Sequence, residues 1–154
     1  MRLLWGIADF GRAIHRQMRF GELSRAPLQL LRLQWREGVV ECDWLARPAD
    51  EWDRDLPRPL SDGNVSEQAL RDAIAVRELL FYALPGVDTA ALRAFRPSAN
   101  GAHDLIIAGT VTRGEEVPRY VLSTAMRAKL LGLQFWFEDG ILGALQTEEC
   151  TVSF

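Results

Sequence analysis

Lysine is nearly missing from this chain: Lys129 is the single lysine among 18 cationic residues, and the other 17 are arginine. Any Schiff-base or phosphate-gripping lysine would therefore have to be Lys129. Such a bias accompanies GC-rich coding and assigns no function. Cysteine and histidine are scarce too, two of each, as Cys42, Cys150, His15 and His103. They stand far apart, with no CxxC or HxxxH pair, so the usual spacing of a zinc site is missing and no metal is expected. No GxGxxG or GxxxxGK run is present, which removes the glycine-rich phosphate cradle. Ser66, Ser98 and Ser123 lack the GxSxG elbow of a hydrolase nucleophile. The residues imply no cofactor.

No apolar run approaches the ~18 residues of a membrane span. The opening MRLLWGIADFGR has an apolar core too short for a signal peptide, interrupted by Asp9. A cytoplasmic protein with reduced thiols is expected, with Cys42 and Cys150 as core residues rather than a disulfide. Internal repeats and low-complexity tracts are also missing.

What is present is ordinary for a globular domain: 154 residues, 48% hydrophobic and 25% charged. That length suits one domain spanning 1–154. The net charge of −3 hides an asymmetry, because residues 1–36 carry +5 and residues 37–55 carry −5. The two stretches are expected to face each other within the chain rather than a charged partner.

The most legible stretch is Leu28 to Leu45, which reads as a β-hairpin turning at Glu37-Gly38. Alternation puts Leu31, Leu33, Trp35, Val40, Cys42 and Trp44 on one apolar face. Leu31 is expected opposite Trp44, and Arg32 opposite Asp43 as an opposite-charge pair. Before the hairpin, Ile7, Phe10, Ile14 and Met18 recur at helical spacing over residues 6–20. Arg12, Arg16 and Arg19 line one side of that helix, a basic stripe that suits a solvated face or contact with an anionic surface.

After the hairpin, residues 46–64 read as a long acidic loop broken by Pro48, Pro57 and Pro59. Its acids miss the calcium-loop pattern, since Pro57 and Arg58 fall where a third ligand and the glycine should sit. Trp52 is expected to pin the loop to the body. Val65 to Leu84 reads as the strongest helix, with Ser66 as N-cap and Pro85-Gly86 as its end. Asp88 to Phe95 reads as a short helix, His103 to Thr112 as an interior strand, and Pro118 to Leu131 as a helix capped at Gly132. Leu133 to Phe137 and Ile141 to Leu145 form a second hairpin around Asp139-Gly140, with Trp136 opposite Gly143. Cys150 to Phe154 adds a final strand.

The order of elements predicts an α+β fold: an antiparallel or mixed sheet built from two β-hairpins plus a central strand, with helices packed mainly on one face. The segment from His103 to Phe137 is strand–helix–strand, which suggests a parallel pair with a right-handed crossover.

The only nucleophilic set the sequence offers is Cys42 or Cys150 with His103, oriented by Asp104. Nucleic-acid binding is disfavoured, because the aromatic residues of the first hairpin share no face with cations and the pI is near 5.4. Trp136 on an outward face, with an uncharged C-terminal edge, suits association. The expectation is a non-catalytic module that acts through a protein partner, as a homo-oligomer. The alternative is a small-molecule-binding or hydrolytic domain with a pocket near Cys42 and His103.

Overall fold

Positive φ at two consecutive residues is what a tight hairpin turn of the right twist demands, and Glu37 (53°) and Gly38 (82°) supply it. The turn joins β1 (Gln29–Arg36) to β2 (Val39–Leu45). Glu37 and Gly38 belong to a computed structural model that describes residues 2–18, 23, 26–49, 55–98 and 101–145. From Arg36↔Val39 to Arg32↔Asp43 the register follows the sequence pattern. Beyond it a bulge intervenes, so that Leu30 rather than Leu31 lies opposite Trp44. The extra residue turns Leu31 outward at 38% exposure.

The chain begins with α1 (Arg2–Gln17), whose Phe10, Ile14 and the following Met18 are buried. The long helix α2 (Arg58–Ala83) starts eight residues ahead of the expected cap at Ser66. Pro57 occupies the N-cap position and Pro59 the first turn, where a missing N–H and a fixed φ do no harm. The expected loop over 46–64 therefore ends at Pro57, and its stretch at 50–54, Trp52 included, lies outside the described residues. Ser66 is instead a buried residue of the helix interior, and its Oγ accepts the Leu142 N–H at 2.9 Å.

The segment expected as a helix over Asp88–Phe95 is a strand, β3 (Thr89–Pro97). Its Ala and Leu residues favour a helix locally, yet Ala90, Leu92 and Ala94 are buried at alternate positions. Burial on a sheet face outweighs propensity here. β3 pairs in parallel with β2, and α2 is the crossover between them. β4 (His103–Thr112) is antiparallel to β3. The short β5 (Leu133–Gln134) is antiparallel to β4, so the expected parallel crossover from His103 to Phe137 does not form.

The five strands run in spatial order β1-β2-β3-β4-β5. At the β4–β5 seam a Cβ on Gly109 would run into the Gly132 carbonyl oxygen and lie 2.9 Å from Leu133 Cα, so the two backbones meet only because position 109 is glycine. The third helix, α3 (Thr124–Leu130), is shorter than the expected Pro118–Leu131. Ser123 caps it by accepting the Met126 N–H, and Gly132 follows at φ 100°. β6 (Phe137–Glu138) and β7 (Ile141–Leu142) form the second hairpin in the expected Glu138↔Ile141 register. The hairpin is narrower than the sequence suggests, because Leu133 and Gln134 join the main sheet instead.

The three helices pack on one sheet face, as an α+β fold of this order requires. Phe10 and Ile14 of α1, Leu70, Val76 and Leu80 of α2, and Ala128 of α3 join Val40, Cys42, Trp44, Leu92 and Ile107 of the sheet in one core. The opposite face carries an ion ladder: Arg32 binds Glu41 and lies 3.8 Å from Asp43, and Arg93 grips Asp43 with two hydrogen bonds of 2.9 and 2.5 Å. Among the described residues, no helix is long and apolar enough to cross a membrane.

Candidate interaction surface

A helix of seven residues that caps a sheet edge can bury only one side. In α3 the inner side is Ala128, with Leu131 just beyond it, both buried against the core. Its outer side carries Met126 and Leu130, each 49% exposed, and Leu122, 87% exposed, stands just ahead of the Ser123 cap. Positions spaced by four stand one above another on a helix, so Met126 and Leu130 form an apolar stripe that Leu122 precedes. Tyr120, 83% exposed, precedes it.

Trp136 extends this surface. A cavity of about 940 Å3 runs from Lys129 at the end of α3 to Trp136, along Leu133 and Phe135. The indole covers Gly143, as the sequence suggests: a Cβ there would touch Trp136 Cε3 at 3.4 Å, and the Gly143 N–H donates to the Trp136 carbonyl at 2.8 Å. Trp136 is still 57% exposed. Five of the ten large hydrophobic residues exposed among the described residues fall within residues 120–136, so apolar exposure is concentrated rather than scattered.

The two cations of α3 are drawn off the stripe. Arg127 Nη1 donates to the Val121 carbonyl at 3.1 Å, and the Lys129 ammonium lies 5.4 Å from the Phe135 ring centroid. The hydrogen-bond and ring partners of these two cations, Val121 and Phe135, are thus not members of the stripe. An outward Trp136 is legible in the residues but the stripe is not, because a helix expected over Pro118–Leu131 hides the fact that only its last two turns form.

The residues suspected of chemistry do not gather. Cys42 is fully buried on the helix-covered face, opposite Leu33 and Leu92. Burial, and next the neighbouring Asp43 carboxylate, push its thiol far up from 9.0, so it stays protonated and unreactive. His103 is exposed at the start of β4, its ring 6.4 Å from that of Phe95. Cys42 lines up across the sheet with Leu92 and Gly109. His103 lies six residues from Gly109 along β4, roughly 20 Å at the rise of a strand. Asp104 is half-buried opposite Arg96 and faces neither. Arg12 and Arg16 are exposed on α1, with Arg12 paired to Asp9. Arg19, Trp52 and Cys150 lie outside the described residues, as does the expected strand over 150–154. Among the described residues no group of three or more His, Cys, Asp or Glu side chains is placed to hold a metal ion.

Two charged clusters escape a reading of the sequence. One is the buried pair Arg47–Asp72 at 2.7 Å, joined by Gln68 at 2.9 Å to Asp72. Burial pushes the Asp72 carboxyl up, against the pull of Arg47 and Gln68. Arg47 also donates to the Ala26 carbonyl and Gln68 accepts the Leu23 N–H, so the cluster ties the chain between α1 and β1 to α2. The other cluster gathers around Arg77 and Arg113, beside α3. Set against known proteins, the chain matches no family model, no curated protein and no solved structure.

Proposed function

We propose that this chain is a non-catalytic assembly module that works by self-association, with the outer face of α3 and Trp136 as the contact. The observation that carries the reading is the exposure of Leu122, Met126 and Leu130 in and just before α3 together with an indole left 57% exposed at Trp136. Monomeric proteins rarely leave large side chains gathered in this way, and removing them from water stabilises an interface at ~25 cal/mol per Å2. A second copy is the partner of choice because Met126 and Leu130 are themselves uncharged and can meet their own copies across a two-fold axis. Trp136 is then a central anchor, the role large aromatic side chains fill in interfaces. A cytoplasmic setting fits, since Cys42 is buried and unpaired and calls for no oxidising compartment. Light scattering over a concentration series tests the reading. The wild type should pass from monomer to dimer in the micromolar range, and Trp136→Lys should weaken that association at least tenfold. A wild type that stays monomeric at several hundred micromolar, or a variant that dimerises as well, overturns it.

A further inference from the structure

On the far side of α3 from the stripe lies a second cavity, of about 640 Å3, between α2, α3 and the connection that joins β4 to α3. Its apolar floor includes Ile74, Val117 and Leu131. Its deeper walls are cationic: Arg77 is buried, while Arg113 and Arg127 are half-buried. Arg113 spends its donors on the carbonyls of Phe81, Leu84 and Val87, and Arg77 on those of Thr112 and Glu115. Carbonyls take up most of these N–H groups, the buried Arg77 Nε excepted, but leave the charge in place. Among the described residues only Glu78, 2.6 Å from Arg77, and Asp88, 3.6 Å from Arg113, pair with these two guanidinium groups, and both carboxylates are largely exposed. Among the described residues Arg127 and the exposed Arg119 have no carboxylate within ion-pair distance. Glu115 and Glu116 stand exposed at the rim.

The geometry points to a binding site for a small oxyanion, a carboxylate or phosphate group on a short organic body, held by Arg127 and Arg119 in the field of Arg113 and Arg77. Four arginines against three glutamates leave the lining at a net +1, with the cations deeper than the rim acids, and guanidinium groups suit the paired oxygens of both groups. The volume fits a metabolite rather than a polymer. The rim acids Glu78, Glu115 and Glu116 repel an extended polyanion and so select a compact ligand.

Thermal unfolding of the full chain tests the site, with sodium phosphate and sodium succinate titrated separately against sodium chloride at equal ionic strength. At least one should raise Tm saturably, and isothermal titration calorimetry should show Kd at least tenfold weaker in Arg127→Gln and in Arg119→Gln. Arg119 is exposed and supports no packing, so its variant reads binding even where Arg127→Gln costs stability. Binding of phosphate alone assigns a phosphate ester, and of succinate alone an organic acid. A rise no greater than that from chloride, or variants that bind as tightly as the wild type, overturns the inference.

Discussion

Two buried polar residues show how far environment, rather than residue type, decides chemistry. Cys42 sits under the helices with its thiol pushed up by burial, so in the folded chain it keeps its proton where an unfolded chain would lose it. The folded state therefore binds more protons above the ordinary value of 9.0, and the sign is that stability falls as pH rises past about 9. In a Cys150→Ser background, the folded chain should resist alkylation at pH 8 and react at the rate of global unfolding. The loss of stability between pH 8 and 10 should total ~1.4 kcal/mol from this group alone, and Cys42→Ala should remove it. Rapid labelling without unfolding would contradict the burial. The Arg47–Asp72 pair behaves differently, because removing one partner strands the other charge. Arg47→Met should cost ~3–5 kcal/mol in urea unfolding, and Arg47→Met with Asp72→Leu should recover most of it. A single variant within ~1 kcal/mol of wild type would show that the pair does not hold the α1–β1 connection.

Among the elements, the second hairpin depends on a helix residue. Ser66 of α2 accepts the Leu142 N–H across 76 positions of sequence, in a buried place. Ser66→Ala should cost ~1–3 kcal/mol and raise amide exchange at Leu142 selectively, whereas a change under ~0.5 kcal/mol would mean the N–H finds another acceptor. That bond also explains a limit of sequence reading. Ser66 has the residue type of a cap and the right neighbours, but Pro57 and Pro59 start the helix earlier and free Ser66 for a tertiary role. Turns were legible because φ > 0 is a local demand: Glu37-Gly38 and Asp139-Gly140 fall where the sequence puts them. Strand β3 was not, since TAALRAF carries helix formers and only its place between β2 and β4 makes it a strand. The bulge at Leu30–Arg32 was likewise invisible, as nothing in LLRL marks which leucine faces Trp44.

Taken whole, the described residues divide into a helix-covered core and a surface with ten exposed large hydrophobic residues, five of them within 120–136; Trp35, expected on the apolar face of the first hairpin, is 50% exposed near the end of the edge strand β1. Charge is paired on the other sheet face, where acids and arginines satisfy one another through Arg32, Glu41, Asp43 and Arg93. The fold class and Trp136 could be read from the residues; the stripe could not, because exposure on α3 depends on where Ala128 and Leu131 find the core. Self-association through that stripe is the claim on which the functional reading depends. Sedimentation equilibrium tests it most directly, on the wild type, on Leu130→Glu, and on Tyr82→Glu, which alters an equally prominent apolar residue outside the surface, 85% exposed on α2. The wild type and Tyr82→Glu should fit a dimer with the same dissociation constant while Leu130→Glu sediments as a monomer; a monomer for all three, or a dimer that Leu130→Glu leaves intact, would contradict it.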